Sequence, residues 1–217
     1  MEITCILLAL PALLLGVSIG AVAARFAKKS ESVRIWPNRA SVVPRIEKRF
    51  RDAKRSIFLY GLSLEGTMNS HKAELVDALK RGVEVKILML HPGSRHVEGH
   101  QEFSDRVLRP KIEENIELRM QKLFVEALTK EERTRLTLRA TNYLPRFSAN
   151  LWDDKDLYIN FYLYKSSASD NPVIFMNDRT NAAAFRKIKK SLDDLFSDPD
   201  TARVAEDGKW IGLGGDV

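Results

Sequence analysis

One cysteine and four histidines are all that this chain of 217 residues offers to thiol and imidazole chemistry. The cysteine, Cys5, lies inside an apolar run, so the sequence carries no disulfide framework and no cysteine-based metal site. His-Glu-x-x-His is absent. His96 and His100 are four apart but lack the third ligand that a zinc shell needs, and His71, His91, His96 and His100 read as surface or loop residues. No internal repeat or low-complexity block occurs, which excludes solenoids and disordered linkers. The sequence implies no cofactor and no metal.

Charge is missing altogether between Glu2 and Arg25. The 22 residues Ile3–Ala24 include eleven Leu, Ile or Val. As a helix they would span about 33 Å, enough for a hydrocarbon core of roughly 30 Å. Eleven strong apolar residues favour insertion by about 3 to 7 kcal/mol, less what Pro11, Ser18 and the glycines cost. Ala21-Val22-Ala23 fits a signal-peptidase pattern, but the acidic Met1-Glu2 start and the long run argue for an uncleaved anchor over residues 3–24.

The flank fixes the expected orientation. From Phe26 to Ser56 there are ten Lys or Arg against Glu31, Glu47 and Asp52, which exceeds the net charge of +6 for the whole chain. The remainder is therefore near neutral, and a nucleic-acid partner is not implied. Residues 25–44 read as a basic juxtamembrane collar facing anionic lipid, with the N-terminus outside the cell and the rest cytoplasmic at the inner membrane. Gly16, Gly20 and Ala24 repeat every four residues, a small-residue face that could pair two anchors into a homodimer.

Beyond the collar, helix and strand patterns alternate. Ser41 is expected to cap a helix with Pro44 in its first turn and Ile46, Phe50 and Ala53 on one face. Ser56–Leu64 and Val83–Leu90 read as buried strands. Between them, a helix capped by Asn69 or Ser70 places Leu75, Val76 and Leu79 inward and stops at Lys80-Arg81-Gly82. This is a βαβ unit with parallel strands. Helix is expected from Glu102 to about Arg135, with Pro110 splitting it. Strands follow at Leu136–Tyr143, Leu157–Tyr164 and Val173–Met176, and a closing helix at Thr180–Phe196. Residues 198–217, rich in Asp and Gly, are expected to be loosely held. The pattern predicts one α/β domain with a mixed sheet flanked by helices. Tyr158, Tyr162 and Tyr164 share a strand face and fit either a pocket lining or ordinary packing.

The segments "RDAKRSIFLYGLSL…ELVDALKRGVEVKILMLHPGS", "LPRFSANLWDDKDLYINFYLY" and "AAFRKIKKSLDDLF" together resemble a phospholipase D-like domain, here over residues 45–197. The resemblance implies the family's His-x-Lys-x4-Asp motif on the second segment. There histidine attacks phosphorus and lysine stabilises phosphoryl charge. That spacing places Arg146, Ser148 and Asp153 at the three positions. Arginine stays protonated and cannot be the nucleophile, and serine brings no cation. The expectation is a catalytically inactive module. Arg146, Ser148 and Asp153 form its candidate anion site, and it acts as a sensor or regulator of a phosphorylated ligand or a protein. The other reading is a phosphodiesterase or phospholipase that completes its site by homodimerisation, since many family members use two motif copies and this chain has room for one. Arg146 itself fits either an anion clamp or a solvated loop residue.

Overall fold

A computed structural model describes residues 33–99, 108–164 and 166–213. The anchor segment 3–24, with Gly16, Gly20 and Ala24, lies outside the described residues. Among the described residues no helix is long and apolar enough to cross a membrane.

Among the described residues nine strands form one mixed sheet: β1 (Arg34–Trp36), β2 (Ser56–Gly61), β3 (Glu84–Leu90), β4 (Leu136–Thr141), β5 (Phe147–Trp152), β6 (Asp156–Phe161), β7 (Val173–Asn177), β8 (Ala202–Glu206) and β9 (Lys209–Trp210). Their spatial order is β1-β7-β6-β5-β2-β3-β4-β8-β9. The central strands β2, β3 and β4 are parallel, and every other pairing is antiparallel. β2 and the C-terminal half of β3 are buried on both faces, which explains their nearly continuous apolar sequence.

Helices cover both faces. Along β2, Ile57 and Leu59 join one core cluster while Phe58 and Tyr60 join the other, as the period of two requires. The larger cluster packs α1 (Val43–Asp52) through Ile46 and Phe50, and α2 (Glu65–Lys80) through Met68, Leu75 and Leu79. It also takes in a long helical stretch: α3 (Leu108–Glu114), a π segment (Asn115–Met120) and α4 (Gln121–Glu126), followed by the short α5 (Lys130–Arg133). The smaller cluster packs α6 (Ala182–Phe196) through Phe185, Leu192 and Phe196.

Five expectations are corrected. The domain begins before residue 45, because Arg34–Trp36 pairs with β7 and the collar thus supplies an edge strand. Of the expected loose tail at 198–217, the described residues 198–213 are held in the fold. β8 pairs with β4 and β9 with β8, Val204 and Ala205 are fully buried, and Arg139 of β4 donates to the Phe196 carbonyl and pairs with Glu206. Ser41 does not cap α1; its N–H and hydroxyl both donate to the Asn38 side chain. The second helix starts at Glu65 and bends at His71, whose φ of −132° and ψ of 19° are non-helical, so the break falls where the Asn69/Ser70 cap is expected. Pro110 lies within α3, and the irregularity of this stretch is the π segment instead.

Candidate functional site

At the C-terminal end of β2 the chain must turn over the sheet into α2, and this turn opens a cavity of about 130 Å³. Polar side chains appear on an otherwise apolar sheet face here. Ser148 and Asn150 alternate along β5 and stand opposite Asn160 and Tyr158 of β6. Strand interiors are normally depleted in asparagine, so two of them side by side under a cavity are a functional signal. Arg39, Glu65, Thr67, Lys111 and Tyr162 add to the polar lining.

The packing of this wall is tight. The buried Tyr162 hydroxyl accepts from the Leu62 N–H at 3.0 Å and is bonded to the Ser148 hydroxyl. Burial pushes the Tyr162 phenol up from its ordinary pKa, so it stays protonated and offers no base. Gly61 is what lets the phenol approach: a Cβ there would lie 2.9 Å from the Tyr162 Oη and 2.9 Å from Leu64 Cδ2.

Arg39 comes from the turn before α1, tied down by its N–H to the Ser169 carbonyl at 2.9 Å. Its guanidinium reaches over Gly66 and donates to the Thr67 hydroxyl at 3.1 Å. Burial lowers its pKa, against the opposing influence of Tyr162, yet an arginine remains charged. Glu65 is the carboxylate of the lining, and it is engaged by Lys111 and Arg119, each at 3.8 Å. Among the described residues Arg39 therefore has a hydroxyl but no carboxylate for a partner.

Two acceptors are also left over. The Asn160 amide nitrogen donates to the Asn171 and Pro172 carbonyls at 3.0 and 3.3 Å, which fixes the amide's orientation. Its Oδ1, like that of Asn150, is buried with no hydrogen-bond partner. Unpaired buried acceptors are uncommon and each calls for an explanation.

The three motif positions are not brought together. Ser148 lines the cavity. Arg146 is exposed and is not part of the lining. Asp153 lies five residues along β5 from Ser148, about 16 Å away at the rise of a strand. It opens the β5–β6 turn, where Asp153 and Asp154 have φ of 53° and 56° and the Lys155 N–H closes onto the Trp152 carbonyl at 2.9 Å. Aspartate tolerates this left-handed geometry. The Asp153 carboxylate accepts the N–H groups of Lys54, Arg55 and Ser56 at 2.7 to 3.1 Å. Burial pushes its pKa up, but these donors outweigh that and hold it below the usual carboxylate range.

Among the described residues no histidine lines the cavity, so His71, His91 and His96 supply no nucleophile to it. His71 is not a surface residue: it is fully buried, stacks on Phe50 at 4.9 Å, and neither ring nitrogen has a hydrogen-bond partner. The His91 Nδ1 accepts from the Gly93 N–H at 3.0 Å. Among the described residues no three His, Cys, Asp or Glu side chains gather as a metal shell.

No family model matches the chain, and no curated protein matches it. Solved structures do. The phosphatidylserine synthase of Haemophilus influenzae Rd KW20 is 11% identical, with a TM-score of 0.54 over 79% of this chain; the chain spans only 39% of that protein's length. Nuc from Salmonella typhimurium, a phospholipase D family member, is 14% identical with a TM-score of 0.45, covering 81% of this chain and 99% of Nuc. NucT from Helicobacter pylori is 13% identical with a TM-score of 0.44, covering 79% and 97%. These identities speak to architecture alone. The large mixed sheet between two helical layers is a phospholipase D-like fold.

Proposed function

We propose that this chain is a membrane-anchored phospholipase D-like module that works by binding rather than by turnover, as a sensor or regulator at the cytoplasmic membrane face. One observation carries the reading. The cavity presents Ser148 where the family resemblance calls for lysine, and among the described residues no histidine lines it. Phosphodiester cleavage through a phosphoenzyme needs an imidazole that is neutral near pH 7 and within reach of phosphorus. Ser148 would need a general base of its own, and its neighbour Tyr162 is a phenol held protonated by burial. The anchor and its orientation rest on the uncharged run 3–24 and the basic flank that follows it.

The test uses the full-length chain in two arms. A reporter fused after Val217 should behave as cytoplasmic, and surface labelling of the C-terminal domain on intact cells would refute the orientation. The chain in detergent micelles should hydrolyse neither phospholipid nor nucleic acid above background, with or without divalent metal, and should show no phosphoenzyme by mass spectrometry. Turnover lost on changing Ser148 or Asp153, or a phosphoenzyme confined to cross-linked dimers, would restore an enzymatic function.

A further inference from the structure

Resting on that reading, we infer that the cavity is a receptor site for a polyol phosphate, with Arg39 as its anion-binding residue and Asn150 and Asn160 as its hydroxyl acceptors. The cation comes from the segment before α1, outside the motif positions, and it is the side chain in the cavity whose charge is left uncompensated, because Glu65 is engaged by Lys111 and Arg119. A guanidinium over a hydroxyl suits a tetrahedral oxyanion: its planar fork takes two oxygens while Thr67, which accepts from Arg39, has its own O–H for a third.

The unfilled acceptors say what the anion is attached to. The Asn150 and Asn160 Oδ1 atoms are buried and need donors. An ammonium group would satisfy them but is disfavoured beside Arg39, so the donors are neutral hydroxyls. Size agrees. A volume of about 130 Å³ is several times the roughly 10–15 Å³ that admits one water, which leaves room for a small polyol carrying phosphate. The same chemistry occurs free in solution and as a lipid headgroup.

Calorimetric titration of the full-length chain in micelles tests this with glycerol 1-phosphate as the probe, against inorganic phosphate, glycerol and glycerate. Glycerol 1-phosphate should bind about tenfold or more tighter than any of the three. Arg39→Gln should weaken it roughly 10- to 100-fold, the span expected for a charged hydrogen-bond partner. Asn150→Ala should erase the preference over inorganic phosphate while inorganic phosphate itself binds as before. Should Arg39→Gln not fold, protection of Arg39 from phenylglyoxal by glycerol 1-phosphate, read by mass spectrometry on the unaltered chain, decides instead.

Repeating the titration in nanodiscs separates the two sources. Competition by phosphatidylglycerol but not phosphatidylcholine assigns the headgroup, and no competition assigns the free ester. Equal binding of inorganic phosphate or glycerate, indifference to Arg39→Gln, or an unprotected Arg39 overturns the inference. Phosphodiester turnover alongside Arg39-dependent binding would instead sink the non-catalytic reading and leave the binding site standing.

Discussion

The two ends of β5 face opposite fates. At the Asp153 end a carboxylate collects three backbone N–H groups, and the turn is closed by its own hydrogen bond. At the Ser148 end the same strand borders an open cavity, and Asn150 keeps a buried acceptor with nothing to accept. A motif position can thus persist for two unrelated reasons. Asp153 is held by what it does for the fold, whereas Asn150 leaves a buried acceptor unpartnered beside Ser148 at the cavity, the feature on which the proposed ligand site rests.

The sharpest way to break this contrast is to truncate both ends. Asp153→Ala removes an acceptor from three donors and puts a β-carbon without a compensating side chain at positive φ. It should cost about 1.5–3 kcal/mol in a urea titration, while Asn150→Ala should stay within about 0.5 kcal/mol because it deletes an unpartnered group. Equal losses would show that the cavity end is structural too. The Asp153 carboxyl has a lowered pKa in the folded chain, so its contribution is present above the unfolded value of about 3.9 and is lost as pH falls through the folded value.

A smaller effect should follow from Gly61→Ala. The added methyl meets Leu64 and the Tyr162 hydroxyl at 2.9 Å, so one must move. Overpacking of this kind costs about 1–3 kcal/mol. Loss of ligand binding greater than the loss of stability, measured on the same sample, would tie Tyr162 to the cavity end rather than to the core.

The subtlest test uses His71, the buried α2 residue stacked on Phe50 of α1. Burial first, and then the nearby Arg39, lower its pKa, against Glu74 and Glu47. The folded chain therefore keeps this imidazole neutral while the unfolded chain protonates near pH 6.5. Stability should be full above about pH 6.5 and decline as pH falls towards the folded value. His71→Phe should flatten the decline in denaturant midpoints between pH 7 and 5. An unchanged slope would assign the acid sensitivity elsewhere.

The strands β2 and β3 were legible because buried parallel strands are written as apolar runs bounded by turn residues, and Ser56–Gly61 and Glu84–Leu90 are both of that kind. The edge strands were not. Arg34–Trp36 is three residues long and basic, so its charge reads as membrane collar, and β8 and β9 lie among Asp and Gly. Such short, polar edges carry too little periodicity to be recognised. Arg39 was hidden by the same collar, since a charge count cannot tell a guanidinium over a cavity from one in water. Asn150 and Asn160 did leave a trace: asparagines at alternating positions within otherwise apolar strands. His71 left none, because a kink in the middle of α2 turns it inward.

The C-terminal strands also have a consequence for solubility. β4 is a parallel strand with Leu138 and Ala140 almost wholly covered, and β8 is what covers its free edge. An uncapped, apolar, parallel edge is a template on which a second chain can add its own strand. Residues 202–210 are thus a seal against self-assembly, and a chain cut before Ala202 would be more prone to aggregate than to bind.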